Sequence, residues 1–207
     1  MDENWKKEIE NLPLEEQWHR LYLKTKPLRA PGKAMWKGGG IPHQDYLLKI
    51  FNNLGIKNFI DCGCADFFWL SKLDWTGINY LGIDIVPELI EQNKKMFPGF
   101  HFVNINIVKE FPNFVYKNGN RMIFIRDVFT HLQLADCLKI IENVKNSGAQ
   151  YLMISSSSVN VNNDNTCLVI YPRNLRIKPF NFPEPLMTIK DKGKEGYYMG
   201  IWNINEL

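Results

Sequence analysis

The amino-acid sequence predicts an α/β fold with a mostly parallel sheet, on three observations. From residue 43 onwards short apolar runs alternate with amphipathic stretches; a glycine turn closes the first run, and an acidic residue closes the second. The runs are Phe59-Ile60, Tyr80-Leu81-Gly82-Ile83, Phe100-His101-Phe102-Val103, Met122-Ile123-Phe124-Ile125 and Tyr151-Leu152-Met153-Ile154. Each is apolar on both faces, as strands covered by helices on either side should be.

The remaining elements follow in chain order. Residues 2–24 carry Trp5, Ile9, Leu12 and then Leu14, Trp18, Leu21 at helical spacing, broken near Pro13. They predict two short helices outside the main core. Residues 27–42 are rich in glycine and proline, which is loop chemistry, with Trp36 as the apolar anchor. Helices are expected over 87–97, opened by Pro87, and over 133–146, where Leu134, Leu138, Ile141 and Val144 share a face. Residues 155–185, rich in Ser, Asn and Pro, predict a long structured loop. Leu186–Lys190 and Tyr197–Trp202 flank a polar glycine-containing turn and predict a β-hairpin.

Composition narrows the class. At 207 residues with 45% apolar and 23% charged, the chain suits one globular domain. It divides into an extension (1–42), a core (43–155) and a loop with a terminal hairpin (156–207). A net charge of +3 does not favour nucleic acid or a membrane surface as partner. The polar start and the short apolar runs predict neither a secretion signal nor a membrane span, so a cytoplasmic location is expected. The four cysteines read as reduced thiols, and Cys62-x-Cys64 alone is a poor zinc signal, so no metal is expected.

Function enters at the first strand's end, Asp61-Cys62-Gly63-Cys64-Ala65-Asp66. Ligands of open α/β sheets bind at the carboxyl ends of strands, and Asp84 follows Gly63 by 21 positions. That spacing brings a carboxylate to the ribose hydroxyls of an adenosine cofactor. A dinucleotide would need further glycines where Ala65 and Phe68 stand, and Asp66 would repel its phosphates. S-adenosylmethionine (SAM) fits better, because its ammonium and sulfonium favour nearby carboxylates. The competing reading is a plain strand-end turn that needs Gly63, with Asp66 capping the next helix.

Three segments together resemble the class I SAM-dependent methyltransferases: Ile60 to Trp69, Tyr80 to Pro87, and Arg126-Asp127-Val128-Phe129-Thr130-His131-Leu132. With Pro179 to Leu186 and Gly200-Ile201-Trp202, they resemble the subgroup associated with glycan and nucleotide-sugar O-methylation, over roughly residues 35–207. The resemblance implies a Rossmann-like, mostly parallel seven-stranded sheet ending in an antiparallel hairpin. It implies that Asp61 and Gly63 lie against the methionine part of SAM, with Cys62, Cys64, Asp66 and Arg126 nearby. Asp84 would take the ribose, Ile85 and Ile107 would pack at the adenine, and Asn106 would stand where the family has Asp. Ala65 replaces a family glycine, Leu168-Val169 replaces a glycine pair, and an arginine expected near Tyr171 is displaced to Arg173.

Methyl transfer to a sugar hydroxyl benefits from a general base, and His131 at the fourth strand's end is the candidate. Asp127 would orient it or bind the acceptor. Arg126 would hold an acceptor phosphate or pair with a carboxylate. The acceptor side is expected from Trp36, Asn162, Asp164, Tyr171, Arg173 and Asn174, with Arg173, Arg176 and Lys178 meeting a diphosphate if the sugar is nucleotide-linked. Against these stand plainer readings: a helix-start histidine, a core anchor at Trp36, and a solvated loop. The expected function is sugar O-methylation, including nucleotide-linked deoxy or amino sugars. The alternatives are another small-molecule or protein acceptor, or an inactive SAM-binding partner subunit.

Overall fold

Successive side chains of a strand point to opposite faces of its sheet, and the central strands here are apolar on both. The computed structural model describes residues 3–25, 44–112, 118–164, 170–190 and 195–207. In it β1 (Ile56–Cys62), β2 (Asn79–Asp84), β3 (His101–Asn104), β4 (Asn120–Ile125) and β5 (Tyr151–Ser157) pair in parallel. The predicted hairpin is β6 (Met187–Lys190) with β7 (Tyr197–Asn203), and β7 runs antiparallel to β5. The seven-stranded order is β3-β2-β1-β4-β5-β7-β6, so the chain reverses direction across the sheet between β1 and β4. A ligand site belongs there, at the carboxyl ends of those strands.

The alternation sorts the core into two layers. Phe59, Met122, Phe124, Met153 and Ile201 meet Leu47, Ile50 and Phe51 of α3 (Gln44–Asn53), a helix the sequence reading left unassigned. Ile60, Ile123, Ile125, Leu152 and Ile154 meet Cys137, Ile140, Ile141 and Val144 of α5 (Leu134–Lys145). Helix α4 (Pro87–Met96) adds Ile90 to the first layer. Gly200 in β7 allows the Trp202 ring to lie across it, where a Cβ would stand 2.2 Å from a ring carbon. The indole then donates to Pro183 O at 2.8 Å, which fastens the segment entering the hairpin.

The N-terminal helices are α1 (Glu3–Ile9) and α2 (Leu14–Thr25). Ile9 and Leu21 form a small cluster with Trp5, Leu12 and Trp18. Helix α2 is not outlying, however. Leu14 packs on the α5 layer, and Tyr22 packs on Val86 and Leu89 just beyond β2. Among the described residues, no helix is long and apolar enough to cross a membrane.

Candidate active site

The loop after β1 is folded back on the end of β2 by its own backbone. Gly63 N and Cys64 N both donate to Ile83 O, at 2.8 and 3.0 Å. Gly63 sits at φ +84°, and a Cβ there would stand 2.6 Å from Val128 Cγ2, so glycine is required twice over. Ala65 follows at φ +48°, the left-handed region that disfavours a side chain. Its two polar groups are pinned: its amide donates to Asp84 Oδ2 at 3.0 Å, and its carbonyl accepts from Asn93 Nδ2 at 2.7 Å. Asp84 Oδ1 accepts from Val86 N at 3.0 Å, and Asp66 Oδ1 from Phe68 N at 3.2 Å.

Asp61, Gly63, Cys64, Asp66 and Asp84 line one cavity, with Ile85, Asn106 and Ile107 further along it. Asp61 is buried, which pushes its carboxyl up to about 7; Asp84 adds to the rise, while the Tyr80 hydroxyl (donating at 2.8 Å) and Arg126 oppose it. Cys62 departs from expectation. Its side chain belongs to the core layer under α5, it does not line the cavity, and burial holds its thiol far above the usual range.

Beyond β4 the chain carries Arg126, Asp127 and His131 into the same cavity. Arg126 lies over the Trp69 ring, 5.4 Å from its centroid, with Nε 4.0 Å from Asp127 Oδ2. Asp127 has φ +57°, and its amide donates to Ser155 Oγ at 2.9 Å. His131 ends a 3-10 turn (Phe129–His131). Tyr197, which opens β7, lies close enough that burial and the Asp127 charge together raise its phenol.

Helix α2 closes the cavity with Leu14, Trp18, Leu21 and Tyr22. Trp18 meets His131 edge-on, with centroids 5.3 Å apart and an interplanar angle of 89°. His19 Nε2 lies 2.6 Å from Glu88 Oε1, and Glu15 joins Asn106 and Lys109. These α2 residues, with Trp69 and Tyr197, were not among the predicted site residues. The signal available in the sequence was that Leu14, Trp18, Leu21 and Tyr22 share one face of α2.

The predicted acceptor residues mostly serve the loop itself. Arg173 is 1% exposed, and its guanidinium donates to the backbone carbonyls of Phe129, Leu132 and Asn163. Arg173 is therefore not available to a diphosphate, because the cation is enclosed by its own chain. Asn162 bridges Asn174 and Lys178 through their backbone groups, and Asn174 donates to Val159 O. Asp164 accepts from Leu134 N at 2.8 Å, at the start of α5. Arg176 pairs with Glu184. Tyr171 is half-buried, its amide donating to Thr130 O. None of these six lines the cavity described above. Trp36 and its glycine loop, and Leu168-Val169, lie outside the described residues. Among the described residues, no cluster of three or more His, Cys, Asp or Glu could hold a metal ion.

No family model matches the chain, and no curated protein matches it. Solved structures match in fold. The N-methyltransferase NodS from Bradyrhizobium japonicum WM9, in complex with S-adenosyl-L-homocysteine (SAH), gives a TM-score of 0.61 at 15% identity, over 88% of this chain and 97% of that one. The chain has a Rossmann-like methyltransferase fold. Magnesium protoporphyrin IX methyltransferase (ChlM) from Synechocystis PCC 6803, with bound SAM, gives 0.59 at 13% identity, over 92% and 97%. The mitomycin 7-O-methyltransferase MmcR gives 0.56 at 10% identity, over 74% of this chain and 50% of that one. At these identities the methyltransferase fold is shared, while the names differ: an N-methyltransferase, a magnesium protoporphyrin IX methyltransferase and a mitomycin 7-O-methyltransferase.

Proposed function

We propose that the chain is a SAM-dependent methyltransferase whose acceptor is a sugar hydroxyl. The observation that carries the reading is one cavity bounded by two chemically different edges. The ends of β1 and β2 bring Asp61, Asp66 and Asp84 to this cavity, and the segment beyond β4 brings Arg126, Asp127 and His131.

The residues at the first edge fit SAM and not a dinucleotide. A pyrophosphate needs open backbone amides, yet those of Gly63, Cys64, Ala65 and Phe68 already donate to Ile83 O, Asp84 and Asp66. A cofactor with two cationic centres instead gains from the carboxylates. In this reading Asp61 and Asp66 face the methionine end, Asp84 the ribose, and Ile85, Asn106 and Ile107 the adenine. When bound, SAM supplies a methyl group already activated by its sulfonium. The neighbours bound to SAM or SAH have the same fold, which supports the choice of cofactor.

The chain's own residues would then align the acceptor, exclude water and take its proton. His131 is assigned as the base, because a sugar hydroxyl holds its proton tightly and the imidazole lies at the β4 edge. Trp18 shields that imidazole from one side, which supports a site with little water around it. Asp127 is assigned to the acceptor or to the imidazole, and Arg126 to an anionic group on the acceptor.

The test is incubation of purified protein with labelled SAM and a panel of sugars and nucleotide sugars. A labelled sugar is expected, and His131→Ala should keep SAM binding while losing turnover. Label on an amine, or on a protein, would overturn the sugar assignment. Absence of transfer to every acceptor class, with SAM bound, would instead favour a non-catalytic SAM-binding subunit.

A further inference from the structure

Asn106 reaches the cavity wall from the turn after β3, and both ends of its amide are already specified. Its Oδ1 accepts from Val108 N at 2.9 Å, and its Nδ2 donates to Glu15 Oε1 at 3.0 Å. A carboxylate only accepts and a backbone N–H only donates, so the two contacts agree on one orientation of the amide. The carbonyl oxygen keeps a second lone pair.

Glu15 comes from the first turn of α2, ninety-one residues earlier in the chain. At about 100° per residue it falls beside Trp18 and Tyr22, which line the same cavity. Partial burial acts to raise its pKa, but hydrogen bonds from Asn106 and Lys109 win and hold it at about 2. It is therefore anionic at every working pH. The ion pair with Lys109, on the turn that Asn106 begins, converges on the same carboxylate oxygen, Oε1, that accepts from Asn106.

We propose that Glu15 is a positioning residue for base recognition. By holding Asn106 across the α2–β3 gap it presents the Asn106 carbonyl to the cofactor's base and selects an amino-bearing purine edge over an oxo-bearing one. This rests on the adenine placement given above. The reader of the base is then assembled from two distant segments, and only when α2 is docked. The same geometry explains why position 106 is an amide. An aspartate there would set two carboxylates about 3 Å apart, and one of them would have to take a proton or move away.

The test measures binding of SAH and of its 6-oxo analogue, S-inosylhomocysteine, by calorimetry. An acceptor facing an oxo group loses a hydrogen bond and gains a repulsion, so wild-type protein should prefer SAH by about tenfold or more. Glu15→Ala should reduce that preference to within about threefold, because Asn106 then keeps only the Val108 N contact. A merely structural role for Glu15 lowers both affinities together and leaves the ratio unchanged, and that result overturns the proposal. Asn106→Asp should weaken SAH binding by about tenfold, and adding Glu15→Gln should restore it, since a neutral partner removes the repulsion. Asn106→Asp protein that binds SAH normally, or a double variant that fails to recover, also overturns it. Wild-type protein that binds SAH with no preference overturns the adenine placement, and this inference with it.

Discussion

The backbone amide of Ala65 donates to Asp84 Oδ2 at 3.0 Å, tying the loop after β1 to the end of β2. The other Asp84 oxygen accepts from Val86 N, so a single carboxylate sets both turns that frame the cavity. Because each oxygen faces a backbone donor, asparagine is a poor substitute: its NH2 would oppose an N–H. Asp84→Asn should therefore lose SAH affinity nearly as completely as Asp84→Ala, by about 100-fold, from two charge-assisted hydrogen bonds and the contact assigned to the ribose. Calorimetry on both variants checks this. Asp84→Asn binding close to the wild-type level would refute both the need for two accepting oxygens and the ribose contact assigned to Asp84.

Ala65 is the complementary case. Held at φ +48° by hydrogen bonds at both its polar groups, it bears a left-handed cost of about 1–2 kcal/mol that glycine escapes, less what glycine gains in unfolded freedom. Ala65→Gly should thus stabilise the protein by about 0.5–1 kcal/mol in urea unfolding. A loss of stability would show that the methyl group packs favourably enough to outweigh the strain.

Much of this was legible beforehand because strand periodicity and turn chemistry are local. The five parallel strands, the hairpin, Gly63 and the Asp84 spacing all follow from neighbours in sequence. Helix α2 was found as a helix but misplaced, since its apolar stripe says only that something covers it. Its partners Asn106, Glu88 and His131 lie between 69 and 113 residues away from the residues they meet. Arg173 shows the same limit from the other direction. In sequence it is one cation in a polar loop, and only the fold encloses it against the carbonyls of the His131 turn. Cys62 sits beside Gly63, yet the strand's alternation sends it into the core.

Asp61 predicts a pH dependence with a definite sign. Its carboxyl titrates near 7 in the folded chain and near 3.8 otherwise. Between those values the folded state holds a proton that the unfolded state has lost, so stability falls as pH rises from about 4 to 7. Asp61→Asn keeps an acceptor for the Tyr80 hydroxyl and removes the titration. The stability of Asp61→Asn relative to wild type should therefore increase across that window, read from urea unfolding at several pH values. A cation in the cavity favours the ionised form, so wild-type SAM affinity should rise through pH 7 and that of Asp61→Asn should not. Parallel pH profiles for the two proteins would refute the assignment.

Arg173 and Arg176 stand three residues apart and offer an internal contrast. Arg176 pairs with Glu184 at the surface, where screening and side-chain entropy leave such pairs worth under about 1 kcal/mol. Arg173 is enclosed, and its guanidinium serves Phe129 O and Leu132 O, the carbonyls on either side of the His131 turn. Arg173→Met preserves the apolar stem but takes the guanidinium donor from Leu132 O, while Phe129 O keeps Leu132 N and Cys137 Sγ, at a cost of about 2–3 kcal/mol. Arg176→Ala should be nearly silent in the same unfolding experiment. The two variants should also separate in function, because Tyr171 N donates to Thr130 O within the same turn. With that clamp weakened, the His131 turn loosens while the Asp61–Asp84 cradle stays intact. Arg173→Met should then retain SAH affinity within about threefold at temperatures where it is folded, yet lose methyl transfer, since near-attack alignment tolerates little displacement. Equal loss of both properties would show that the clamp supports the whole domain and not the β4 edge alone.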